Sequence, residues 1–237
     1  MQKLALLLLI IIAFSCKKEN GFQIDTKIEG ISNGTIATLK TRTGNIIKVI
    51  DSTTVENGKF SFKGTIEEPI MFGIFIDSTK SGIFPFIDVN DKISIEAYKD
   101  SLHFSKITGS KLNNELLTMR KEREAIESKG KPLMDDYITA KSKKDTIAMQ
   151  NIRKKMGEIG DESLNSEWNY LKTHPNSFLV PIIFEDIMAN PKFKDSVRIV
   201  FESFSQEIQN SKLAKKSRDY LIYLESNKKK FKPVSPK

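Results

Sequence analysis

The spacing of apolar residues along the chain changes twice. Leu4 to Phe14 form an unbroken apolar run. From residue 22 to 107, apolar and polar positions alternate, a period of two that predicts strands. Phe22, Ile24 and Ile28 share one side, with Thr26 the polar exception. Ile36–Leu39 follows a turn at Ser32-Asn33-Gly34, and Asn45–Ile50 is rich in β-branched residues. Asn57-Gly58 stands between alternating apolar positions, where a type I′ turn needs positive φ at both central residues. Phe60 and Phe62 then share one face and Ser61 takes the other. Pro69–Ile76, Ile83–Ile87, Lys92–Ala97 and Leu102–Ile107 continue the pattern, with turns at Ser78–Gly82, Asn90-Asp91 and Lys99–Ser101. Short strands at this spacing, with no helical stretch between them, predict an antiparallel sandwich or open barrel rather than βαβ units.

From Ser110 the period becomes helical. Ser110 suits an N-cap, and Leu112, Leu116, Leu117 and Met119 follow on a helix that ends near Gly130-Lys131-Pro132. Leu133–Lys143 predicts a second helix. Met149, Ile152, Met156 and Ile159 recur at spacings of three and four, one apolar stripe that Leu164, Trp168 and Leu171 extend. His174-Pro175-Asn176 breaks the run. Ser177–Met188 predicts an apolar helix, Asn190-Pro191 a break, Val197 to Ile208 another helix and Leu213–Leu224 a last one. The expected fold is α+β: an antiparallel β-sandwich over residues 22–109, then a helical bundle over residues 110–227. Residues 228–237 hold five lysines and two prolines, composition expected of a disordered basic tail.

The first apolar run changes the picture of where the chain works. Lys3 and the run after it have the build of an export signal. Eleven apolar residues fall short of the about 20 that a membrane-spanning helix requires. Ala13-Phe14-Ser15-Cys16 resembles a bacterial lipobox, in which the cysteine is lipidated and becomes the first mature residue. Ala13 stands where the usual leucine would be. The resemblance implies a signal peptide over residues 1–15, lipidation at Cys16, a tether over residues 16–21 and a membrane-bound protein without a spanning helix. One acyl chain holds only marginally, whereas the two or three on a lipoprotein cysteine hold durably. Cys16-Lys17-Lys18-Glu19 resembles the Cys-x-Lys-acid signal that sends some Bacteroidetes lipoproteins to the outer face of the outer membrane. A plain solvated tether, with the anchor facing the periplasm, is the alternative.

Composition then narrows the chemistry. The formal net charge is +8, and it is unevenly spread. Residues 16–110 carry 12 Lys/Arg against 12 Asp/Glu, whereas residues 111–237 carry 25 against 18. Lysine-rich helix surfaces explain that excess, with contact to anionic lipid or glycan as the other reading. No nucleic-acid recognition motif is present. Cys16 is the one cysteine in the chain, so no internal disulfide and no Cys-x-x-Cys dithiol exist.

Candidate chemical groups are few. His103 falls in a predicted strand and His174 at a helix entry, and two separate histidines do not make a zinc site. Glu67-Glu68 would point to opposite faces of a strand, and Asp135-Asp136 would sit about 100° apart on a helix, so neither pair suits a shared proton. Asp88, Asn90 and Asp91 have calcium-like spacing, but Lys99 stands where an EF-hand loop needs its glutamate. No catalytic residue, metal site or cofactor is expected. The densest apolar material, residues 70–76 and 83–87, is expected to be core. A ligand groove lined by Phe72, Phe75, Phe84 and Phe86 is the functional alternative.

Phe22–Gly30, Ile50-Asp51-Ser52-Thr53, Val55–Gly64 and Ile107-Thr108-Gly109-Ser110 with Asn113-Asn114 together resemble a Bacteroidetes lipoprotein domain of unknown function. That domain precedes a thioredoxin-like domain, of the alkyl hydroperoxide reductase/thiol-specific antioxidant type, in many lipoproteins. His174-Pro175-Asn176-Ser177 resembles the entry into the same family's helices. The redox cysteines of the thioredoxin-like domain have no counterpart in this sequence, and no catalytic residue carries over. An anchored two-part scaffold with no catalytic constellation predicts a lipid-anchored, non-enzymatic binding or assembly module of the envelope, with an envelope protein or peptide as partner. An accessory subunit of an envelope thiol-disulfide system is the alternative. Metabolic labelling with a fatty acid is expected to mark the wild-type protein and to be lost in Cys16→Ala. Equal labelling of the two would show that the anchor is elsewhere or absent.

Overall fold

Alternation in the first half resolves into strands because Gly21–Glu29, Lys59–Thr65 and Lys92–Tyr98 each have one face to bury. The computed structural model describes residues 21–43, 46–77 and 79–230. The strands are β1 (Gly21–Glu29), β2 (Ile36–Thr43), β3 (Ile46–Thr54), β4 (Lys59–Thr65), β5 (Ile70–Met71), β6 (Gly73–Ile76), β7 (Gly82–Ile83), β8 (Phe86–Ile87), β9 (Lys92–Tyr98) and β10 (Lys106–Thr108). One four-stranded sheet has the order β10-β9-β1-β4, a second the order β3-β2-β6-β7, and β5 pairs with β8. Neither four-stranded sheet closes into a barrel. Phe22, Ile24 and Ile28 of β1, Phe60 and Phe62 of β4 and Ile93 and Ile95 of β9 meet Ala37 and Leu39 of β2 and Ile74 and Ile76 of β6 in one apolar core. Each such Ile or Phe contributes about 1.5–3 kcal/mol on leaving water.

Two expectations about the strands are corrected. β1 and β9 run parallel, Gln23 opposite Lys92 through Glu29 opposite Tyr98, so the first sheet is mixed. The other pairs are antiparallel. A parallel pair requires a long crossover, and here the whole second sheet supplies it. Leu102–Ile107 is not one strand. Lys99–Phe104 turns as a 3-10 helix broken at Ser101, with Leu102 fully buried. Phe104 stays 79 % exposed, so the alternation there has no face to bury.

Asn57 and Gly58 do take positive φ, 53° and 72°. Glu56 and Lys59 exchange backbone hydrogen bonds of 3.0 and 2.9 Å across them. The strands they join belong to different sheets, so the turn hands the chain from one sheet to the other. The Ile28 N–H donates to the Gly58 carbonyl at 2.7 Å, and a Cβ on Gly58 would lie 2.7 Å from the Ile28 oxygen.

Among the described residues the α-helices that follow are α1 (Lys111–Ser128), α2 (Lys131–Ser142), α3 (Thr146–Thr173), α4 (Val180–Ile187), α5 (Val197–Glu202), α6 (Gln206–Asn210) and α7 (Lys215–Lys230). Ser110 caps α1 as expected, accepting from the Asn113 N–H, and Asp145 caps α3 by accepting from Ala148. The stretch Val197 to Ile208 is split rather than continuous. Ser205 caps α6, and its N–H reaches back to the Pro175 carbonyl at 2.9 Å. Phe204, left between α5 and α6, joins Phe184 and Phe201 with ring centroids 5.6 Å apart. These rings, with Trp168 stacked on Phe193 at 3.9 Å, centre a second apolar cluster. Between Asn113 and Trp168, Ala140 is the one buried residue, so α2 and the first part of α3 form an arm outside that cluster. α7 runs through Lys230, past the expected tail boundary at residue 228. The leader, Cys16, the tether up to residue 20 and residues 231–237 lie outside the described residues.

The two halves meet at β8. Phe86 is fully buried, and its ring belongs to the helical cluster although its backbone belongs to the strands. The buried Asn113 accepts from the Phe86 N–H at 2.9 Å and donates its amide N–H to the Phe86 carbonyl. Gly109 has φ +88°, and a Cβ there would run into the Lys92 carbonyl oxygen. The sequence Gly109-Ser110-x-x-Asn113 therefore turns the chain, caps α1 and pins β8. Asn113→Ala leaves two buried backbone groups without partners and is expected to cost about 2–4 kcal/mol in urea unfolding. A loss under about 0.5 kcal/mol, as for an ordinary surface change, would show the joint to be incidental.

Candidate interaction surface

The four expected groove residues do not stay together. Phe72 is buried in the sheet core, tilted against Phe22 at 5.3 Å, and Phe86 enters the helical cluster. Phe75 and Phe84 remain on the outward face of the second sheet, edge to face at 5.8 Å. The Lys40 ammonium lies 4.8 Å above the Phe75 ring, within cation–π range. Gly73 makes room for this group: a Cβ there would lie 2.6 Å from the Phe75 ring. Phe84 is 47 % exposed.

Register joins β3 to the same face. Val49 sits opposite Lys40, Asp51 opposite Leu39, and Ile50 is left over as a bulge. Lys40 faces outward with Phe75, so Val49 and, two residues on, Ile47 face outward as well. β3 is the edge strand, and all its residues except Thr53 are exposed, Ile47 at 66 % and Val49 at 56 %. Ile46 and Ile50 add two more exposed aliphatics. The result is an apolar strip running from Ile47 and Val49 past Lys40 to Phe75 and Phe84. The sequence reading recognised a strand here but missed its exposure. The available signal was the run Ile46-Ile47-Lys48-Val49-Ile50, where a lysine interrupts apolar residues that do not alternate.

The other candidates are occupied structurally. His103 lies tilted against the exposed Phe104, ring centroids 4.0 Å apart. His174 ends α3, stacked on Tyr170 at 4.1 Å with its Nδ1 2.9 Å from the Thr173 hydroxyl. The Tyr170 hydroxyl donates to Glu115 and lies 3.4 Å from Ser177 Oγ, tying α1, α3 and the entry to α4 together. Burial, then the hydrogen bond to Glu115, pushes the Tyr170 phenol above its ordinary range. Asp88 and Asp91 serve their own turn: the Val89 N–H donates to Asp88 at 2.6 Å, and the Asp88 N–H to Asp91 at 3.0 Å. Asp135 and Asp136 are both exposed on α2. Among the described residues no group of three His, Cys, Asp or Glu is placed to hold a metal ion. The outward face of the first sheet carries an open depression of about 560 Å³ edged by Asp25, Lys27, Glu56, Lys59 and Glu96, mixed charges without a convergent set.

Glu67 and Glu68 act as a second joint. The Glu68 carboxylate accepts the Lys212 backbone N–H at 2.9 Å, and the Lys212 ammonium donates to Glu67 at 2.8 Å. The hydrogen bond from Lys212, then its charge, holds the Glu67 carboxyl below its usual value.

Residues 22–116 match the model of a protein family described as a domain of unknown function (DUF4369). The match begins at the second residue of β1, takes in the other strands described and ends in α1 just after Asn113, so it includes the residue that pins β8. A search of curated proteins found no match to the chain.

Lys212→Met is expected to return the Glu67 carboxyl to its ordinary range, read by carboxyl NMR titration. A depressed carboxylate pKa gives stability that is present above the unfolded value and lost as pH falls through the folded one. The stability gap between wild type and variant should therefore narrow on acidification. A gap that widens would mean the pair does not act through that carboxylate.

Proposed function

We propose that the chain is a lipid-anchored cell-envelope protein that works as a non-enzymatic binding or assembly module. The leader and Cys16 support an anchor in the outer membrane, on its periplasmic or its surface face. The observation that carries the binding role is the exposed apolar strip on the second sheet. A chain with two separate apolar cores has sites enough for Ile47, Val49 and Phe84, yet leaves them in water. Exposed apolar patches mark interaction surfaces more often than they occur by chance. Two sheets around one core support a sandwich as the platform, and the Phe184 cluster supports a small helical bundle behind it.

The second reading is an accessory subunit of an envelope thioredoxin-like system. It rests on the resemblance of residues 22–64 and 107–114 to domains that precede such enzymes.

Phe84→Glu separates binding from structure, because the ring is half in water and its loss, with the contact to Phe75, should lower the unfolding free energy by no more than about 1–2 kcal/mol. Solubilised envelope proteins captured by immobilised wild type should fall at least tenfold on the variant. Unchanged capture would remove the strip from the function. Recovery of a thioredoxin-like protein in the same experiment would favour the accessory reading, and its absence would count against it.

A further inference from the structure

An edge strand presents a row of backbone N–H and C=O groups that another strand can pair with. β3 has nine residues, pairs with β2 on one side and has no strand on the other among the described residues. We infer that β3 pairs antiparallel with β3 of a second copy, making one continuous sheet across a two-fold axis. This rests on the assembly reading above and names the partner.

The register follows from side-chain faces. Lys48 sits opposite Thr41 and Asp51 opposite Leu39, positions two apart on β2 that share a face. The bulge at Ile50 therefore brings Lys48 and Asp51, three residues apart in sequence, to the same face, one on each side of the Val49-Ile50 step. A two-fold axis normal to the sheet preserves faces and must match position with mirror position about its centre. Centred on the Val49-Ile50 step, it sets Lys48 against the second copy's Asp51, and Asp51 against its Lys48. Val49 then meets the second copy's Ile50 in the middle, and Ile50 its Val49, while Ile47 meets Ser52 and Ile46 meets Thr53. Centring on Lys48 or on Asp51 would oppose like charges, which destabilises a strand pair. Lys48 and Asp51 join no ion pair among the described residues, and the Asp51 carboxylate accepts only the neighbouring Ser52 N–H, at 2.8 Å. The strand is thus self-complementary in one register: aliphatic at the centre and opposite charges on each side.

One strand edge is a small interface, so the association is weak in solution and is promoted where an anchor confines copies to a surface. The test uses the full chain with Cys16→Ser, measured by light scattering and sedimentation across a concentration series up to about 200 μM. Wild type should approach twice the monomer mass. Lys48→Asp or Asp51→Lys alone should weaken association at least tenfold, and the double exchange Lys48→Asp/Asp51→Lys should restore it. Both positions are exposed, and matching thermal unfolding of all four proteins excludes misfolding. A monomer throughout, or a double exchange no better than the singles, overturns the pairing. In that case, capture of an envelope protein that Phe84→Glu abolishes would leave the binding role standing with a different partner.

Discussion

Asn113 closes two hydrogen bonds on the backbone of Phe86, and the relation between strands and helices depends on that closure. β8 is only two residues long, and its ring is committed to the helical cluster while its neighbour Ile87 is committed to the sheet core. A strand so short has one partner strand, β5, and leaves backbone groups that burial would otherwise orphan. A side-chain amide supplies one donor and one acceptor in the spacing of a peptide group, so Asn113 completes β8 as a strand residue would. The aspartate of the same shape lacks the donor. The helix that delivers the amide is fixed by Ser110 beneath it and by Gly109 against Lys92, so two consecutive residues locate one side chain. Glu68 on the Lys212 backbone makes the corresponding contact from the far end of the chain, at a loop more open to water.

Those contacts also explain how the helices differ from one another. Around Phe184, α4 to α7 fill a cluster that Phe86 and Met71 enter from the strands. α2 and the first part of α3 have no such partner, and the arm they form is steadied from its base. Arg123 of α1 reaches Glu167 at 3.1 Å, and Tyr170 reaches Glu115. Both ties are partly buried and both involve a charged group, which makes them stronger than exposed neutral contacts. Exposed pairs such as Lys129 with Glu162 contribute little.

Local chemistry was readable from residue order, and non-local placement was not. Asn57-Gly58 announces positive φ at both positions, Ser110 announces a cap, and Phe60 with Phe62 announce a shared face, because each signal involves neighbours. Val197 to Ile208 read as one helix because the spacing fits. The break at Phe204 depends on Pro175, thirty residues away, accepting the Ser205 N–H. The parallel pairing of β1 with β9 depends on how the second sheet folds back, which no local pattern encodes. The aromatic groove failed for the same reason. Phe72, Phe75, Phe84 and Phe86 are close in sequence and equally apolar, and only the order of the strands sends one inward, one to the helices and two outward. Asn113 stands in a recognisable local pattern, but its role follows only from the position of β8.

Edge placement is the least legible property of all, since an apolar run reads alike for a strand buried on two faces and for one exposed on two. Leaving Ile46, Ile47, Val49 and Ile50 in water forgoes about 1.5–3 kcal/mol for each side chain that could be fully buried. An unguarded edge of that kind pairs with whatever strand it meets. β3 carries two features that restrain it: a bulge, which twists the edge away from a flat template, and Lys48, which any opposing aliphatic would have to desolvate. The same two features restrict pairing rather than abolish it. The bulge aligns Lys48 with Asp51, and a strand that answers both charges removes the penalty that excludes all others. A guarded edge and a selective edge are then one physical arrangement, and a partner bearing the same bulge and the same two charges meets its requirement by symmetry alone.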